Sequence, residues 1–299
     1  MIDINQLSVH YQNNRALDIR EAIHIGAGER IGIIGSNGAG KTTLIKAILG
    51  SVPSRGSIRL GIPQHRIAVH MQQNEYSSAV RVRCVMEAIL GCTLEQHPAA
   101  WELIRFFDFE TSLKKRFSQL SGGQKQRLTL ILVMCADSPL TIFDEVTSGL
   151  DFETRQRLVA KLSDWYRGRT NTLLLVSHYY EELEQLADKL LYLEHGRLVA
   201  FGEKHDLFQK YCGRAVLIAD RTKQAERMAG DWPRLAAPGH LLALRCDSEA
   251  DEARLTERFR QANLNYKRSN NDIEIMTLSA KAAWQHQMGE NGEAQYHVS

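Results

Sequence analysis

The apolar residues of positions 1–212 form short runs of strand length, and longer stretches with helical spacing separate these runs. Alternating or continuous apolar character predicts strands at residues 2–9, 17–25, 30–34, 57–60, 67–71, 140–144, 172–176, 190–193 and 198–201. Helical spacing predicts helices at residues 44–49, 152–165 and 179–187, with another helix after Gln124. Strands that alternate with helices are typical of a parallel sheet. We therefore predict that residues 1–212 form an α/β domain.

Residues from about 75 to 120 depart from this alternation. Apolar side chains recur there at helical spacing in two groups, one around Val85 and one around Ile104. This pattern predicts a small helical subdomain inside the α/β domain. The segment carries no candidate chemistry of its own, so we expect it to present a surface to a partner.

Residues 215–299 show a second alternation of strands and helices. The pattern predicts strands at residues 216–219, 241–245 and 273–276, helices at 223–228, 249–262 and 280–288, and a polar, frayed tail after Gly289. The segment contains no candidate nucleophile, metal cluster or phosphate loop. We predict a small C-terminal α/β accessory domain, which should not be needed to build a phosphate site unless it packs on that site.

Composition narrows the function only a little. The chain has 299 residues with 43% hydrophobic residues, which is enough for a sizeable core. Lys plus Arg number 37 and Asp plus Glu 35, so the net charge of +2 gives no electrostatic argument for nucleic acid. The spacing of the five cysteines matches neither a zinc site nor a redox pair, which suits a reducing compartment.

The sequence shows no sign of a secretory signal, because no basic region followed by an apolar run opens the chain. The longest apolar patch, residues 128–136, has about half of the ~20 residues that a membrane-spanning helix needs. If the protein serves a membrane, we expect other chains to span it.

A glycine-rich segment between a predicted strand and a predicted helix carries the strongest chemical signal. Residues 35–43 fit the phosphate-binding pattern G-x-x-x-x-G-K-[ST]. The glycines let backbone N–H groups approach phosphate oxygens, and the helix that follows favours an anion at its N-terminus. Lys41 is placed to reach the β- and γ-phosphates, and the Thr42 hydroxyl to bind Mg²⁺. A glycine turn without a ligand would not explain the Lys-Thr pair.

Two carboxylates follow the apolar strand at residues 140–144. Asp144 suits Mg²⁺, either directly or through water. Glu145 suits a general base for an attacking water molecule. Adjacent acids on a surface turn are common, so this signal gains its weight from the phosphate loop. His178 follows the strand at residues 172–176, and a lone histidine there is more often structural than catalytic.

Three further features are ambiguous when each is taken alone. Tyr11, at the end of the first strand, suits stacking on adenine but equally a half-buried tyrosine at a strand end. Gln72 at the end of another strand is ordinary by itself. Ser121 suits a helix N-cap, but a capped helix start does not explain the two glycines and the glutamine that follow in Leu-Ser-Gly-Gly-Gln.

Taken together, these residues resemble the nucleotide-binding subunits of ATP-binding cassette (ABC) transporters over roughly residues 1–212. Residues 35–43 are similar to the Walker A loop and residues 120–124 read LSGGQ, the family signature. Residues 140–144 are similar to Walker B, and Glu145 occupies the place of the catalytic glutamate. In the same order, Gln72 matches the Q-loop with Gln73 as a close competitor, Asp151 the D-loop, His178 the switch histidine and Tyr11 the adenine-stacking aromatic.

The resemblance implies a role for each position and two cofactors, ATP and Mg²⁺. It implies catalytic roles for Lys41, Gln72, Glu145 and His178, and a metal site at Thr42, Gln72 and Asp144. It implies that ATP binds to Tyr11, Gly35, Ser36, Asn37, Gly38, Ala39, Gly40, Lys41, Thr42 and Thr43 of one subunit. It also implies that Ser121, Gly122, Gly123 and Gln124 of a second subunit close over the γ-phosphate, and that Asp151 belongs to the ATP-binding site.

The chain departs from the family pattern at two positions. Val146 stands where the family usually has proline, and Thr141 interrupts an otherwise apolar Walker B strand. Neither position touches the expected chemistry. Residues 177–182 and 186–188, together with the size of the C-terminal extension, look similar to ATPases of ABC-2-type exporters.

The resemblance implies a P-loop NTPase core of the ABC ATPase type that hydrolyses ATP at a dimer interface. Hydrolysis would drive export through membrane-spanning partner subunits, with the chain peripheral at the cytoplasmic face of the membrane as part of a homodimer or heterodimer. The alternative is a soluble ABC-type ATPase that acts on DNA, ribosomes or an assembly factor. The single cassette, the absence of a long coiled-coil insertion and the lack of a basic surplus disfavour it, and no nucleic-acid partner is expected. A regulatory module with a dead site is disfavoured because every catalytic position is filled.

Overall fold

The computed structural model of the protein describes residues 1–12, 14–71 and 76–296. In residues 1–212 the strands are β1 (Ile2–Tyr11), β2 (Asn14–Ile19), β3 (Ile23–Ile25), β4 (Arg30–Ile34), β5 (Ser54–Leu60), β6 (Ile67–His70), β7 (Leu140–Asp144), β8 (Thr172–Val176), β9 (Lys189–Glu194) and β10 (Arg197–Glu203). The helices are α1 (Lys41–Ile48), α2 (Val82–Leu90), α3 (Pro98–Phe106), α4 (Gly122–Cys135), α5 (Phe152–Tyr166), α6 (Tyr180–Leu186) and α7 (Lys204–Cys212).

A six-stranded sheet in the order β10-β9-β4-β8-β7-β6 forms the centre of this part of the chain. The strands from β9 to β6 are parallel, and β10 returns antiparallel to β9 as the predicted hairpin. The carboxyl ends of the parallel strands meet at one edge of the sheet, where α/β proteins bind their ligands. The segments that follow β4, β7 and β8 therefore converge there.

Both faces of the six-stranded sheet are covered, which explains why its strands are almost continuously apolar. Alternate residues of one strand point to opposite faces, so Ile33 of β4 packs toward α1 and the strands β1, β2 and β3. Ile34 packs into a larger cluster with α4, α5 and α6. The chemistry at the sheet edge thus stands on a fully packed core.

A second, antiparallel sheet joins β2, β3 and β5 to β1. We predicted one strand over residues 17–25, but the structure has two. Ile19 of β2 pairs with Leu7, and Ile23 of β3 pairs with Ile4, farther back along β1. The polar residues Arg20 and Glu21 occupy the bend between them and are exposed.

The segment predicted to be a helical subdomain contains α2, α3 and short 3₁₀ turns. Val82 and Met86 of α2 and Ile104 of α3 are buried in the same apolar cluster as Leu128 of α4. The helical spacing read from the sequence therefore marked a real core face. Ile89 lies outside it, with 51% of its surface exposed.

Residues after 212 form β11 (Ala215–Asp220), α8 (Lys223–Ala229), β12 (Arg234–Leu235), β13 (Leu241–Cys246), α9 (Glu249–Gln261), β14 (Lys267–Ser269) and α10 (Ile273–Tyr296). The strands make their own antiparallel sheet in the order β12-β13-β11-β14. This βαββαβ order is the ferredoxin-like arrangement. The predicted α/β character of this region agrees with the structure.

The strand predicted at residues 273–276 is wrong, because these residues begin α10. The buried residues Ile273, Met276 and Ala280 recur at helical spacing, and the carboxylate of Asp272 accepts a hydrogen bond from the N–H of Ile275 as an N-cap. The fourth strand is the polar β14, and the short β12 lies between predicted elements, where we predicted neither a strand nor a helix. Both strands lack the apolar pattern that periodicity detects.

The C-terminal sheet packs on both of its faces. Leu217 and Leu244 face α8 and α9 in a separate apolar cluster. Val216 and Ile218 belong instead to the large cluster of residues 1–212, together with Ile275 and Met276 of α10. Helix α10 contacts α6, α7 and β10. The C-terminal region is therefore joined to the first domain by apolar packing.

Candidate active site

The phosphate loop, residues 35–43, leaves the carboxyl end of β4 and enters α1. Gly35 and Gly40 have φ angles of 150° and 100°. A Cβ atom at Gly35 would lie 2.2 Å from the carbonyl oxygen of Leu193, and one at Gly40 would lie 2.6 Å from a methyl group of Leu17. Only glycine fits these two positions. Among the described residues no side chain caps the N-terminus of α1, so its first N–H groups remain available to an anion.

Lys41 is buried at the start of α1, with 6% of its surface exposed. Its ammonium group donates to the carbonyl oxygens of Gly35 at 2.8 Å and Ser36 at 3.1 Å. Burial lowers the pKa of Lys41, while the charges of Glu145, Asp144 and Glu194 oppose that shift. The lysine thus lies on the loop itself, within the field of three carboxylates.

Asp144 ends β7 directly beside the loop, with 1% of its surface exposed. The Thr42 hydroxyl donates to its Oδ2 at 3.3 Å. Its other oxygen, Oδ1, is buried without a hydrogen-bond partner in the described part of the chain. Burial and the neighbouring charge of Glu145 raise the pKa of Asp144. A hydroxyl and a carboxylate oxygen without a donor are ligands that Mg²⁺ accepts.

Glu145 and His178 meet at the sheet edge. His178 Nε2 lies 2.8 Å from Glu145 Oε1, although 33 residues separate them. Glu145 has a φ angle of 51°, a left-handed conformation that is uncommon for a residue other than glycine. Its N–H donates to the Val176 carbonyl at 3.0 Å, which ties the end of β7 to the end of β8. The two residues that the sequence suggested separately form one pair.

The residues around His178 are held by contacts that sequence reasoning missed. Ser177 donates from its hydroxyl to the buried carboxylate of Glu182 at 2.6 Å. Arg155 of α5 approaches the other oxygen of Glu182 to 3.9 Å and lies 3.8 Å over the ring of Tyr179. In the sequence, Arg155 stands four residues after Asp151 and Glu182 stands five residues after Ser177. Neither spacing indicates that the two side chains meet beside His178.

The segment Ser121–Gln124 begins α4. Gln124 donates from its N–H to the Ser121 hydroxyl at 3.3 Å, and its side chain accepts from the N–H of Ser121 at 3.1 Å. This capping box explains the glutamine as well as the serine, which corrects our expectation that a capped helix start would leave Gln124 unexplained. It does not explain Gly122 and Gly123, which are exposed and where a Cβ atom would meet no atom of the described residues within 4 Å.

The remaining predicted positions fall into three groups. Asp151 is exposed and caps α5 by accepting from the N–H of Thr154 at 3.0 Å. Tyr11 ends β1 with 43% of its surface exposed, which agrees with either interpretation of this residue. Gln72 and Gln73 lie outside the described residues.

The two departures from the family pattern both lie at buried positions. Val146 is buried, and its carbonyl accepts from the side chain of Gln126 at 2.6 Å. Thr141 is also buried, with 1% of its surface exposed.

Comparison with known proteins decides the family. A family model described as "ABC transporter" matches residues 21–148. The Nod factor export ATP-binding protein I of Rhizobium etli is 34% identical over 230 residues, which cover 72% of this chain and 72% of that protein. The protein of the same name from Burkholderia pseudomallei strain K96243 is 33% identical over 72% of this chain and 75% of its own length. The chain belongs to the ATP-binding subunits of ABC transporters.

Solved structures agree with the fold of this ABC ATPase. An ATP-binding subunit of an ABC transporter superposes with a TM-score of 0.62 at 23% identity, over 71% of this chain and 93% of that one. A dimeric ATP-binding cassette in a post-hydrolysis state, bound to ADP and Pi, gives a TM-score of 0.59 at 20% identity, over 68% of this chain and 98% of that one. These findings confirm the predicted fold class.

The family assignment also confirms that this protein is an ABC ATPase that binds ATP. Cassettes of this family form dimers and work with membrane subunits. Among the described residues of this ATPase, no helix combines the length and apolar character needed to cross a membrane.

Proposed function

We propose that this ABC ATPase hydrolyses Mg²⁺-bound ATP at an interface between two subunits, and that hydrolysis drives export through membrane-spanning partner subunits. The observation that carries the chemical part is the Glu145–His178 pair at the edge of the sheet that also carries residues 35–43. Parallel register sets Asp144 beside Val176, so the ends of β7 and β8 lie side by side.

Thr42 and Asp144 would hold Mg²⁺, with Gln72 as a further ligand from outside the described residues. The buried Asp144 Oδ1 supports this assignment, because the other oxygen already accepts from Thr42. Bound Mg²⁺ would neutralise charge that develops on the β- and γ-phosphate oxygens. Residues 35–43 surround those phosphates with backbone N–H groups, and Lys41 turns its ammonium from loop carbonyls to the γ-phosphate.

Glu145 accepts a proton from the attacking water molecule. The contact with His178 Nε2 fixes the direction of its carboxylate, and the N–H···O bond to Val176 fixes its backbone. His178 is exposed, so it is also placed to contact the γ-phosphate of bound ATP. Tyr11 stacks on the adenine.

A second subunit, identical or homologous, supplies the other side of the nucleotide. Gly122 and Gly123 are exposed with free space in front of them, although the fold of this chain does not require glycine there. This supports a close approach by another chain. Residues 121–124 and Asp151 of one subunit would then cover the ATP that residues 35–43 of the other bind.

Export and a peripheral position at the cytoplasmic face of a membrane draw their support from the relatives, which are named as export ATP-binding proteins. The helical subdomain offers apolar side chains for the membrane-spanning partner. Val80 is 39% exposed and Ile89 of α2 is 51% exposed. Dimer closure would move this surface and so move the partner.

The substitution Glu145→Gln tests the chemical proposal. It keeps the size of the side chain but removes the base, so hydrolysis should fall by at least ~10²-fold while ATP stays bound. Steady-state phosphate release and equilibrium nucleotide binding measure the two effects, and size-exclusion chromatography with ATP should show an accumulated dimer. Glu110→Gln, at an exposed position of the helical subdomain, is the matched control. Turnover of Glu145→Gln close to that of the wild type would exclude the proposed role.

A further inference from the structure

Glu194 is a buried carboxylate at the end of β9 that no catalytic motif includes. It is 2% exposed. Its Oε1 accepts from the Ser36 hydroxyl at 2.9 Å and from the Lys281 ammonium at 3.0 Å. Its Oε2 accepts from the Tyr192 hydroxyl at 3.1 Å, and His195 Nε2 lies 3.6 Å from Oε1. One oxygen atom thus joins the phosphate loop to the C-terminal helix.

The loop side of this contact belongs to the nucleotide site. Ser36 is the second residue of the phosphate loop, and its carbonyl accepts from Lys41 at 3.1 Å. The neighbouring Gly35 lies against the Leu193 carbonyl so closely that a Cβ atom would clash at 2.2 Å. The end of β9 therefore forms the back wall of the loop, and Glu194 is the ionised group in that wall.

The C-terminal side of the contact is held rigidly. Lys281 lies on α10 one residue after Ala280, which is fully buried. Met276 and Ala280 belong to the large apolar cluster, and α10 contacts α6, α7 and β10. A packed helix therefore fixes the backbone position from which Lys281 reaches the carboxylate.

The contact between Glu194 and Lys281 controls the charge behind the phosphate loop. Burial disfavours the ionised form of Glu194, but hydrogen bonds from Lys281 and Ser36 outweigh burial and lower the pKa of the carboxyl. The carboxylate is therefore charged, and Lys281 neutralises it. Without Lys281, an uncompensated negative charge would lie behind the loop that receives phosphates, and Glu194 also acts on Lys41 through its charge.

We propose that Glu194 and Lys281 are positioning residues through which the C-terminal helix sets the conformation and the charge of the phosphate-binding loop. The proposal rests on the assigned role of residues 35–43 in binding the phosphates of ATP. It gives the C-terminal region a direct connection to the nucleotide site, although that region carries no nucleotide-binding motif.

The test uses the full-length chain with Lys281→Met, which keeps the length of the side chain and removes its charge. We expect the Kd for ATP to rise by about 3- to 10-fold, with kcat at saturating ATP within about 2-fold of the wild type. Lys281→Arg should retain the wild-type Kd. Lys267→Met is the matched control, because Lys267 also lies in the C-terminal region but pairs with Asp272 at the surface. An unchanged Kd in Lys281→Met, or an equal change in Lys267→Met, would overturn the proposal.

A double variant separates the charge effect from general damage. In Glu194→Gln/Lys281→Met both charges are absent, and the amide oxygen can still accept from Ser36. The Kd should therefore return to within about 2-fold of the wild type. A double variant that is as weak as Lys281→Met, or weaker, would contradict the part of the proposal that concerns charge.

Hydrogen exchange of residues 35–40 without nucleotide keeps this test independent of the proposed function. If the wild-type chain failed to bind ATP, the proposed function would be wrong. The tether, by which we mean the Ser36–Glu194–Lys281 contact, could still be measured. Faster exchange of these amides in Lys281→Met than in Lys267→Met would support the tether, and equal rates would refute it.

Discussion

Residues 1–212 and residues 215–296 of this ABC ATPase differ in whether their sequences contain recognisable nucleotide-binding motifs. Residues 1–212 carry every nucleotide-binding motif that we identified, and the proposed catalytic groups stand at the carboxyl edge of a buried parallel sheet. The C-terminal region carries no such motif, and its sheet is separate. It nevertheless shares an apolar cluster with the first domain and reaches Glu194 through Lys281. Absence of a motif is therefore no measure of distance from the site.

We predict the largest effect for a shortened chain that ends at residue 214. Val216, Ile218, Ile275 and Met276 cover apolar surface of the first domain. Each buried side chain of this size contributes roughly 1.5–3 kcal/mol, and a domain is stable by only about 5–15 kcal/mol. We expect the shortened chain to be mostly insoluble, or to unfold at a much lower temperature than the full chain.

Soluble yield and thermal unfolding of the shortened and full-length chains measure this effect. A second measurement compares the soluble yield of the shortened chain after refolding with and without a separately produced C-terminal region. A shortened chain that is soluble, unfolds at the wild-type temperature and binds ATP with the wild-type Kd would show that the two parts are independent.

The next largest effect concerns the exposed glycines of the first domain. Gly123→Asp should lower hydrolysis by ~10²-fold or more, because a carboxylate would face the γ-phosphate of ATP held by the other subunit. The folded chain itself should tolerate the change. A Cβ atom there meets nothing within 4 Å, and an acid in the first turn of α4 is favourable.

Mixed subunits decide whether the site is shared. A heterodimer of Gly123→Asp and Lys41→Ala retains one site with neither change, so mixing the two inactive variants should restore part of the activity. Gly123→Ala is the matched control for added volume without charge. Activity that follows the concentration of monomer and shows no complementation would place the whole site within one chain.

Residues 1–212 were predictable from the sequence because their functional residues lie in recognisable local motifs at the ends of predicted strands. The family resemblance predicted that Asp144, Glu145 and His178 act beside residues 35–43, and the parallel strands, which end at one edge, explain why they meet there. The Glu145–His178 contact itself depends on the left-handed backbone at Glu145, which has no local signature. The capping box of Gln124 does have a local signature, since Ser-x-x-Gln is a known helix start.

The C-terminal region was less predictable for physical reasons. β12 and β14 are short, polar edge strands, and α10 begins with Ile-Glu-Ile, which alternates as a strand does. The N-cap at Asp272 and the helical spacing of Ile273, Met276 and Ala280 are the signals that distinguish it as a helix. The meeting of Ser36, Glu194 and Lys281 joins three segments that are far apart in sequence, and each residue type is ordinary in its own segment.

The smallest effect that we predict tests how the first domain orients its histidine. Arg155 stacks on Tyr179 with its guanidinium 3.8 Å from the ring centroid, and it approaches Glu182, which accepts from Ser177. Arg155→Lys keeps the charge but loses the planar group that covers the ring. The residues on both sides of His178 would then be held less firmly, and the contact between His178 and Glu145 would be populated less often. We expect kcat to fall by about 3- to 10-fold with the Kd for ATP within about 2-fold, since a stacked cation contributes about 0.5–2 kcal/mol.

Arg157→Lys, on the same helix but over Phe106, is the matched control. Single-turnover hydrolysis with saturating ATP measures the step directly, and an unchanged rate in Arg155→Lys would show that the Glu145–His178 pair is oriented without help from α5.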